Sequence, residues 1–353
     1  MEEEKFYEYD PSAHVPVIAM EGGANGNGKK AAKTQNIFIE PEIRMDNTKR
    51  EAAKCKRKLQ LAHMYGLKSR YGSTALRYGS TWHGFMEGYY GTIKELGWEN
   101  RSQAISNALL LGKKKWDEAT AKQEYYPDYR TLENASAAFL QYINHFVGDQ
   151  SMLEVVGTEQ TFSVILELTT DKEKAMFGHL PKVIFTGKID LQVILNALKW
   201  IIEFKTTGWA LQQAIARLNR STQVIGYSYA APLVLGFTPT GVLVSHHYLL
   251  SRKSAKTGEY GSVSIDFART PQIFNEFDLQ EWKMSFLNTA KELWDCYQKN
   301  YFPMNFDSCF DYGRQCAFYR LCTSGEDPTR YAEETPEGYI VDYWDVENEG
   351  GDE

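Results

Sequence analysis

Two carboxylates and an ammonium group stand close together in a β-rich stretch of this chain: Gly187-Lys188-Ile189-Asp190-Leu191, followed by Ile201-Ile202-Glu203-Phe204-Lys205-Thr206. Side chains alternate across a strand. On the first strand Lys188, Asp190 and Gln192 therefore share one face, and Ile189, Leu191 and Val193 the other. On the second, Glu203 and Lys205 oppose Trp200, Ile202 and Phe204. A turn near Asn196 that folds one strand back on the other sets Asp190 beside Glu203, with Lys205 one step further along. Such a group suits a divalent cation held by hard oxygens, with a lysine next to the attacking water. The same three residues also fit the solvated face of an amphipathic sheet.

Neighbouring segments carry further polar pairs at helical spacing. Gln223 and Tyr227 stand at i and i+4 and share one helix face, as do His83 and Glu87. A lone histidine is more often a satisfied core or surface residue than a ligand. Here it follows Gly79 and precedes Gly84, in a helix start able to meet a sheet edge.

The five cysteines form a second constellation. Cys309, Cys316 and Cys322 are spaced C-x6-C-x5-C, Cys296 lies on the helix before them, and Cys55 stands far upstream. Free thiols are often simply buried. The polar segment Asp307-Ser308-Cys309-Phe310-Asp311-Tyr312-Gly313-Arg314-Gln315-Cys316 is a poor place to bury them. Thiolate groups of this kind suit zinc or an iron–sulfur cluster, and three of them call for a fourth ligand.

Taken in order, Gly-x-Ile-Asp, Glu-x-Lys and Gln-x-x-x-Tyr, preceded by a Gly-x-x-x-His helix, resemble the PD-(D/E)XK nuclease superfamily, in its RecB-like branch. The resemblance covers roughly residues 45–325. It implies a restriction-endonuclease-like core, with His83, Asp190 and Glu203 as ligands of Mg2+ or Mn2+ and Asp190, Glu203 and Lys205 as the catalytic set. Lys205 would orient or activate water, Gln223 and Tyr227 would support the site or touch DNA, and Glu159 in Gly157-Thr158-Glu159-Gln160-Thr161 would join the metal shell. The Ala53-Lys54-Cys55-Lys56-Arg57-Lys58 element resembles the first cysteine element of RecB-like nucleases that carry a 4Fe-4S cluster, such as the AddB-like and CRISPR-adaptation nucleases. By that resemblance Cys55, Cys309, Cys316 and Cys322 hold the cluster and staple the two ends of the core together, while Cys296 stays outside. Two departures stand out: Lys56 replaces the usual Pro, and the first C-terminal gap of six residues exceeds the family's common one. The basic residues Lys54, Lys56, Arg57 and Lys58 would line an entry for phosphates, with Tyr65, Tyr71 and Tyr78 near enough to stack on bases.

Periodicity supplies the elements that must position these groups. Residues 48–65, 73–96, 101–124 and 131–147 read as helices, and Ser73 or Thr74 as a cap. The period then shortens: 155–168, 182–195 and 199–207 alternate as strands. A helix over 221–235, a strand over 241–251 and a helix over 277–300 follow. That order predicts an α/β fold, a central mixed sheet flanked by helices, with helical additions. A Gly-rich run at residues 22–28 predicts a disordered segment 1–35, then one domain over 36–330 and an acidic tail over 331–353. In the tail, Tyr339, Ile340, Tyr343 and Trp344 could dock on a surface.

The net charge of −7 hides an asymmetry. The tail holds nine acids and no Lys or Arg, so the remainder carries 39 basic against 37 acidic side chains, a balance of +2. A mildly basic body permits nucleic-acid binding. No run approaches the ~18 apolar residues of a membrane helix, and the acidic start lacks the pattern of a secretory signal. The chain therefore reads as cytoplasmic (host cytoplasm, were it phage-encoded) with reduced thiols. The expected function is a metal-dependent DNA nuclease, an exonuclease of recombination, repair or phage DNA processing. Its partners would be DNA with free ends or single strands and, since no helicase or P-loop pattern is present, a separate helicase or recombination protein. The alternatives are a catalytically silent or conditional DNA-binding protein of the same fold, and an unrelated structural zinc protein.

Overall fold

The computed structural model describes residues 38–39, 42–236, 238–311 and 314–343. The expected disorder of residues 1–35 lies outside them, as do Trp344 and the acids that follow it. In chain order, β1 (Phe38–Ile39) and β2 (Glu42–Met45) lead into two short helices, α1 (Asn47–Ala52) and α2 (Lys56–Leu59), and then β3 (Leu67–Ser69). Four helices come next: α3 (Thr74–Leu96), α4 (Arg101–Lys122), α5 (Leu132–His145) and α6 (Asp149–Met152). The sheet region holds β4 (Leu153–Ile165), α7 (Asp171–Phe177), β5 (Lys182–Leu195) and β6 (Leu198–Thr207). It continues through α8 (Leu211–Leu218), α9 (Thr222–Val234), β7 (Gly241–Leu250) and β8 (Ser264–Gln272). The chain then forms α10 (Glu276–Gln298), the short β9 (Phe310–Asp311) and β10 (Arg314–Gln315), α11 (Tyr319–Thr323) and β11 (Tyr339–Val341).

The central sheet is mixed, in the order β1-β2-β5-β6-β7-β8 with β4 on the other edge of β5. The β2–β5 and β6–β7 pairs are parallel and the rest antiparallel. Helices cover both faces. On one side α9 and α10 bring Val224, Tyr227, Trp282 and Phe286 against Phe162, Phe185 and Ile201. On the other α3 and α5 bring Tyr78, Trp82, Phe85, Phe139 and Tyr142 against Leu191, Ile202 and Phe204. The α9–α10 packing is close: Gly226 leaves room where a Cβ would meet the Trp282 ring at 2.7 Å. A buried ion pair ties α10 to the start of α7. Lys283 Nζ reaches Glu173 Oε1 at 2.8 Å, while Glu173 Oε2 accepts from the Thr169 and Thr170 backbone N–H groups at 2.7 and 3.0 Å.

Two irregularities shape the middle of the sheet. First, β5 offers one edge to two strands. It pairs with β2 over Lys182–Phe185 and with β6 over Leu191–Leu195, so the backbone of residues 186–190 faces an open fork. Second, the faces exchange at this level. Strict alternation would put Ile189, Leu191 and Val193 together, yet Ile189 joins the α9–α10 side and Leu191 and Val193 the α3–α5 side. Across from it, β4 carries a bulge between Val155 and Gly157 and then Glu159 in the left-handed region at φ 48°. Such features re-aim side chains and accentuate twist.

The helix expected over 48–65 is interrupted. Cys55 is extended (φ −121°, ψ 109°) and caps α2, whose chain runs on into a π-turn over Gln60–Met64. The C-terminal region returns to the same place: β11 pairs antiparallel with β3, and Phe318 and Tyr331 bury against Leu61 and Leu67. Among the described residues no helix is long and apolar enough to cross a membrane.

Candidate functional site

The fork in the sheet is where the polar residues gather. The β5–β6 register ends at Leu191↔Ile202, so Asp190 and Glu203 occupy the next position, where the strands part. On the other edge, Glu159 falls between the pairs Thr158↔Leu191 and Gln160↔Ile189, across from Asp190. Three adjacent strands thus carry carboxylates in one row. Asp190 itself satisfies a backbone group that the fork frees: its Oδ2 accepts from the Phe204 N–H at 2.9 Å.

Two helices and the strands themselves bring the remaining groups. His83 on α3 places Nδ1 3.3 Å from Asp190 Oδ1. Lys205 Nζ lies 2.6 Å from Glu203 Oε1, and Lys188 Nζ 2.6 Å from Glu159 Oε2. On α9, Gln223 Nε2 donates to the Tyr227 hydroxyl at 2.9 Å. These side chains line a cavity of about 280 Å3, closed on further sides by Asp46, Asn47, Thr48, Ser80, Glu87 and Lys115. Asp46 escaped the sequence reading, although its place directly before a helix was a capping signal. It follows β2 and accepts from the Lys49 N–H at 2.7 Å.

The electrostatics follow from packing three acids into a buried row. Burial, reinforced by the Asp190 charge, pushes both Glu159 and Glu203 up to about 7 against the pull of their lysines. Burial would also raise Asp190, but His83 and then Lys205 hold it below the usual carboxylate range. Burial opposes the charged form of His83, and Asp190 outweighs it, lifting the imidazole to about 9. The ring is closely surrounded, yet 34% of its side chain still meets solvent at the cavity, so water tempers these interactions. Lys205 is raised despite burial by Glu203 and Asp190 and is an ammonium at neutral pH.

Among the described residues, only His83, Glu159 and Asp190 bring three metal-ligating atoms within 4.8 Å of one another. Glu203 is adjacent. Its Oε2 is buried and makes no hydrogen bond within the described protein, which leaves a carboxylate oxygen available to a cation.

The thiols lie elsewhere. The Asn305 backbone N–H donates to Cys55 Sγ at 3.3 Å, the Cys309 thiol faces the Asn305 carbonyl at 4.0 Å, and the Cys316 N–H donates to the Cys309 carbonyl at 2.8 Å. Burial first, then the neighbouring thiols Cys316, Cys55 and Cys309, push Cys322 up to about 11 against the opposing charge of Arg57. Cys296 has other neighbours, among them Lys56, Asp295 and Glu292. Although four cysteines share one neighbourhood, no three of their sulfurs come within 4.8 Å of one another. A second cavity of about 330 Å3 opens beside Cys55 and Cys316, lined also by Lys54, Lys58 and Arg314.

The basic residues of this region sit beside the thiols, not at the carboxylates. Lys56 bonds Glu292 at 2.7 Å, Arg57 Nε donates to the Phe302 carbonyl at 3.1 Å, and Lys54 meets Glu51 at 2.5 Å. Of the three tyrosines proposed to stack on bases, Tyr78 is buried and Tyr65 lies against Gln60, while Tyr71 is exposed.

No protein-family model matches the chain, and no curated protein matches it. Among solved structures, one described as "Crystal structure of SSO0001" aligns with 79% of this chain and 98% of that one, at 10% identity and a TM-score of 0.27. A likeness that loose carries no argument.

Proposed function

We propose that the chain is a metal-dependent DNA nuclease of the PD-(D/E)XK type, RecB-like, acting as an exonuclease in recombination, repair or phage DNA processing. The observation that supports it best is the row of Glu159, Asp190 and Glu203 across three strands, flanked by His83 and Lys205, in a cavity open to solvent. Asp190, Glu203, Glu159 and His83 would hold Mg2+ or Mn2+. Ligands ~2.0–2.6 Å from one ion stand within about 5 Å of each other, as the three closest do here. The cation, when bound, would neutralise charge growing on the phosphate. Lys205, already an ammonium, would orient water and stabilise the developing oxyanion, whereas a neutral amine would be needed to remove a proton. Gln223 and Tyr227 brace each other at the wall of the cavity.

The thiol part of the reading rests on the shared neighbourhood of four cysteines. Cys55, Cys309, Cys316 and Cys322 would hold a 4Fe-4S group that fastens the helical N-terminal part to the C-terminal segment.

The test is digestion of end-labelled linear and circular DNA with Mg2+ or Mn2+. Linear DNA should be degraded and circles spared. Asp190→Ala should abolish cleavage, and Lys205→Ala should slow it by about 10²–10³. Full metal-dependent activity in the Asp190 variant overturns the reading.

A further inference from the structure

The cavity has an approach that the carboxylates do not explain. Helices α3 and α4 pack closely through Gly84 and Gly88 on one and Ala108 and Gly112 on the other. Ser80 and His83 of α3 and Lys115 of α4 line the cavity. One turn before Ser80, the Arg77 guanidinium lies between the rings of Trp116 and Tyr125, 3.8 and 4.0 Å from their centroids. Beyond it Tyr71 and Tyr126 stack with centroids 5.0 Å apart and planes 20° from parallel.

That pair is 47% and 67% exposed. The pair is also fixed in place. The Gly72 N–H donates to the Glu124 carbonyl at 2.8 Å, the Glu124 N–H to the Arg70 carbonyl at 3.0 Å, and Gly72 lies so close to Tyr125 that a Cβ would meet its ring at 2.5 Å. The cavity wall itself carries a cation. Lys113 and Lys114 pair with Asp117 and Glu118, whereas Lys115 forms no ion pair among the described residues.

We propose that Tyr71, Tyr126, Arg77 and Lys115 form the track of a single-stranded nucleic acid, with an unpaired base stacked on the tyrosine pair and the backbone led past the cations to the carboxylates. The proposal rests on the nuclease reading and names its substrate class. A duplex hides its base faces, and a single strand offers them to aromatic rings.

The experiment measures binding of a fluorescein-labelled oligothymidylate in EDTA, where no cleavage intervenes, beside a duplex of the same length. Tyr71→Ala with Tyr126→Ala should weaken single-strand binding about tenfold or more and leave duplex binding unchanged, with an unaltered melting curve. Tyr126→Phe should restore affinity, since the ring face is kept. Lys115→Gln should lower the salt slope by about one. An oligonucleotide scanned with 2-aminopurine should be quenched at one position by the wild type and not by the Tyr126→Ala protein. Unchanged affinity, equal losses for duplex, or no quenched position overturns the track. The two readings fail separately: a wild type that binds single strands but cleaves nothing sinks the nuclease, and one that cleaves while the tyrosine variants bind normally sinks the track.

Discussion

Asp190→Asn replaces a carboxylate by an amide of nearly the same shape. The amide oxygen can still accept from the Phe204 N–H, so the fork in the sheet should keep its geometry. What disappears is the charge 3.3 Å from His83. The protein contains its own reference points. His246 and His247 are buried without a carboxylate partner, and burial pushes them down to about 4 and about 3. His83 moves the other way, to about 9, because Asp190 chiefly, with Glu159 and Glu203, overcomes burial. Unit charges at that separation attract by about 5 kcal/mol at an effective dielectric constant of ~20. Since a third of the side chain is open to solvent, roughly half of that survives, which is about two pKa units. A nitrogen-detected NMR titration of metal-free protein should therefore find His83 near ~7 in the variant. The stability consequence has a definite sign. The folded pKa lies above the ordinary 6.5, so the contribution of His83 is fully present below 6.5 and is lost as pH rises through about 9. The metal-free wild type should lose stability across that window, and the variant should show a flatter curve. A His83 midpoint remaining above about 8 in the variant would refute the argument that Asp190 sustains the imidazolium.

Glu173→Ala should destabilise the fold by about 3–5 kcal/mol in urea titrations, because it strands a buried Lys283, and adding Lys283→Met should recover most of the loss. In the wild type Glu173 is held down to about 2 from 4.5; burial opposes this and Lys283 outweighs it. Its contribution should hold above pH 4.5 and vanish as pH falls through about 2, while constancy across that range would count against the pair. Cys55→Ser should abolish bound iron and labile sulfide and lower the melting temperature, whereas Cys296→Ser should do neither; iron retained by the first variant would show the ligand set to be wrong.

The long periodic elements were legible because burial on one or both sides writes itself into their sequences. Helices α3, α4, α5, α9 and α10 and strands β5 and β6 begin and end within a few residues of where periodicity sets them. The missing elements were those with weak signals. Strand β8 lies at the sheet edge, mixes charges with apolar residues and contains Pro271, which an edge tolerates. Helix α7 spans seven residues, too few to display a period, and β2 is four residues long. At the site, the pairing of Asp190 with Glu203 could be read from a short turn between neighbouring strands. The face exchange at Ile189 could not, since alternation sets Ile189 with Leu191 and Val193, and nothing in Glu159's chemistry announces the left-handed backbone opposite. Nor could the stacked tyrosines, which come from segments 55 residues apart.

The pairing of β3 with β11 also sets a timetable for folding. Their register couples Ser69 to Tyr339, a separation of 270 residues. At a synthesis rate of ~5–20 residues per second, the emerging chain waits roughly 15–55 s between making one strand and making its partner. Throughout that interval Leu61 and Leu67 lack Phe318 and Tyr331, the rings that bury them in the finished fold. The same delay applies to Cys55, whose amide neighbour Asn305 arrives 250 residues later. The nascent protein thus carries Leu61 and Leu67 without their final cover for most of its synthesis.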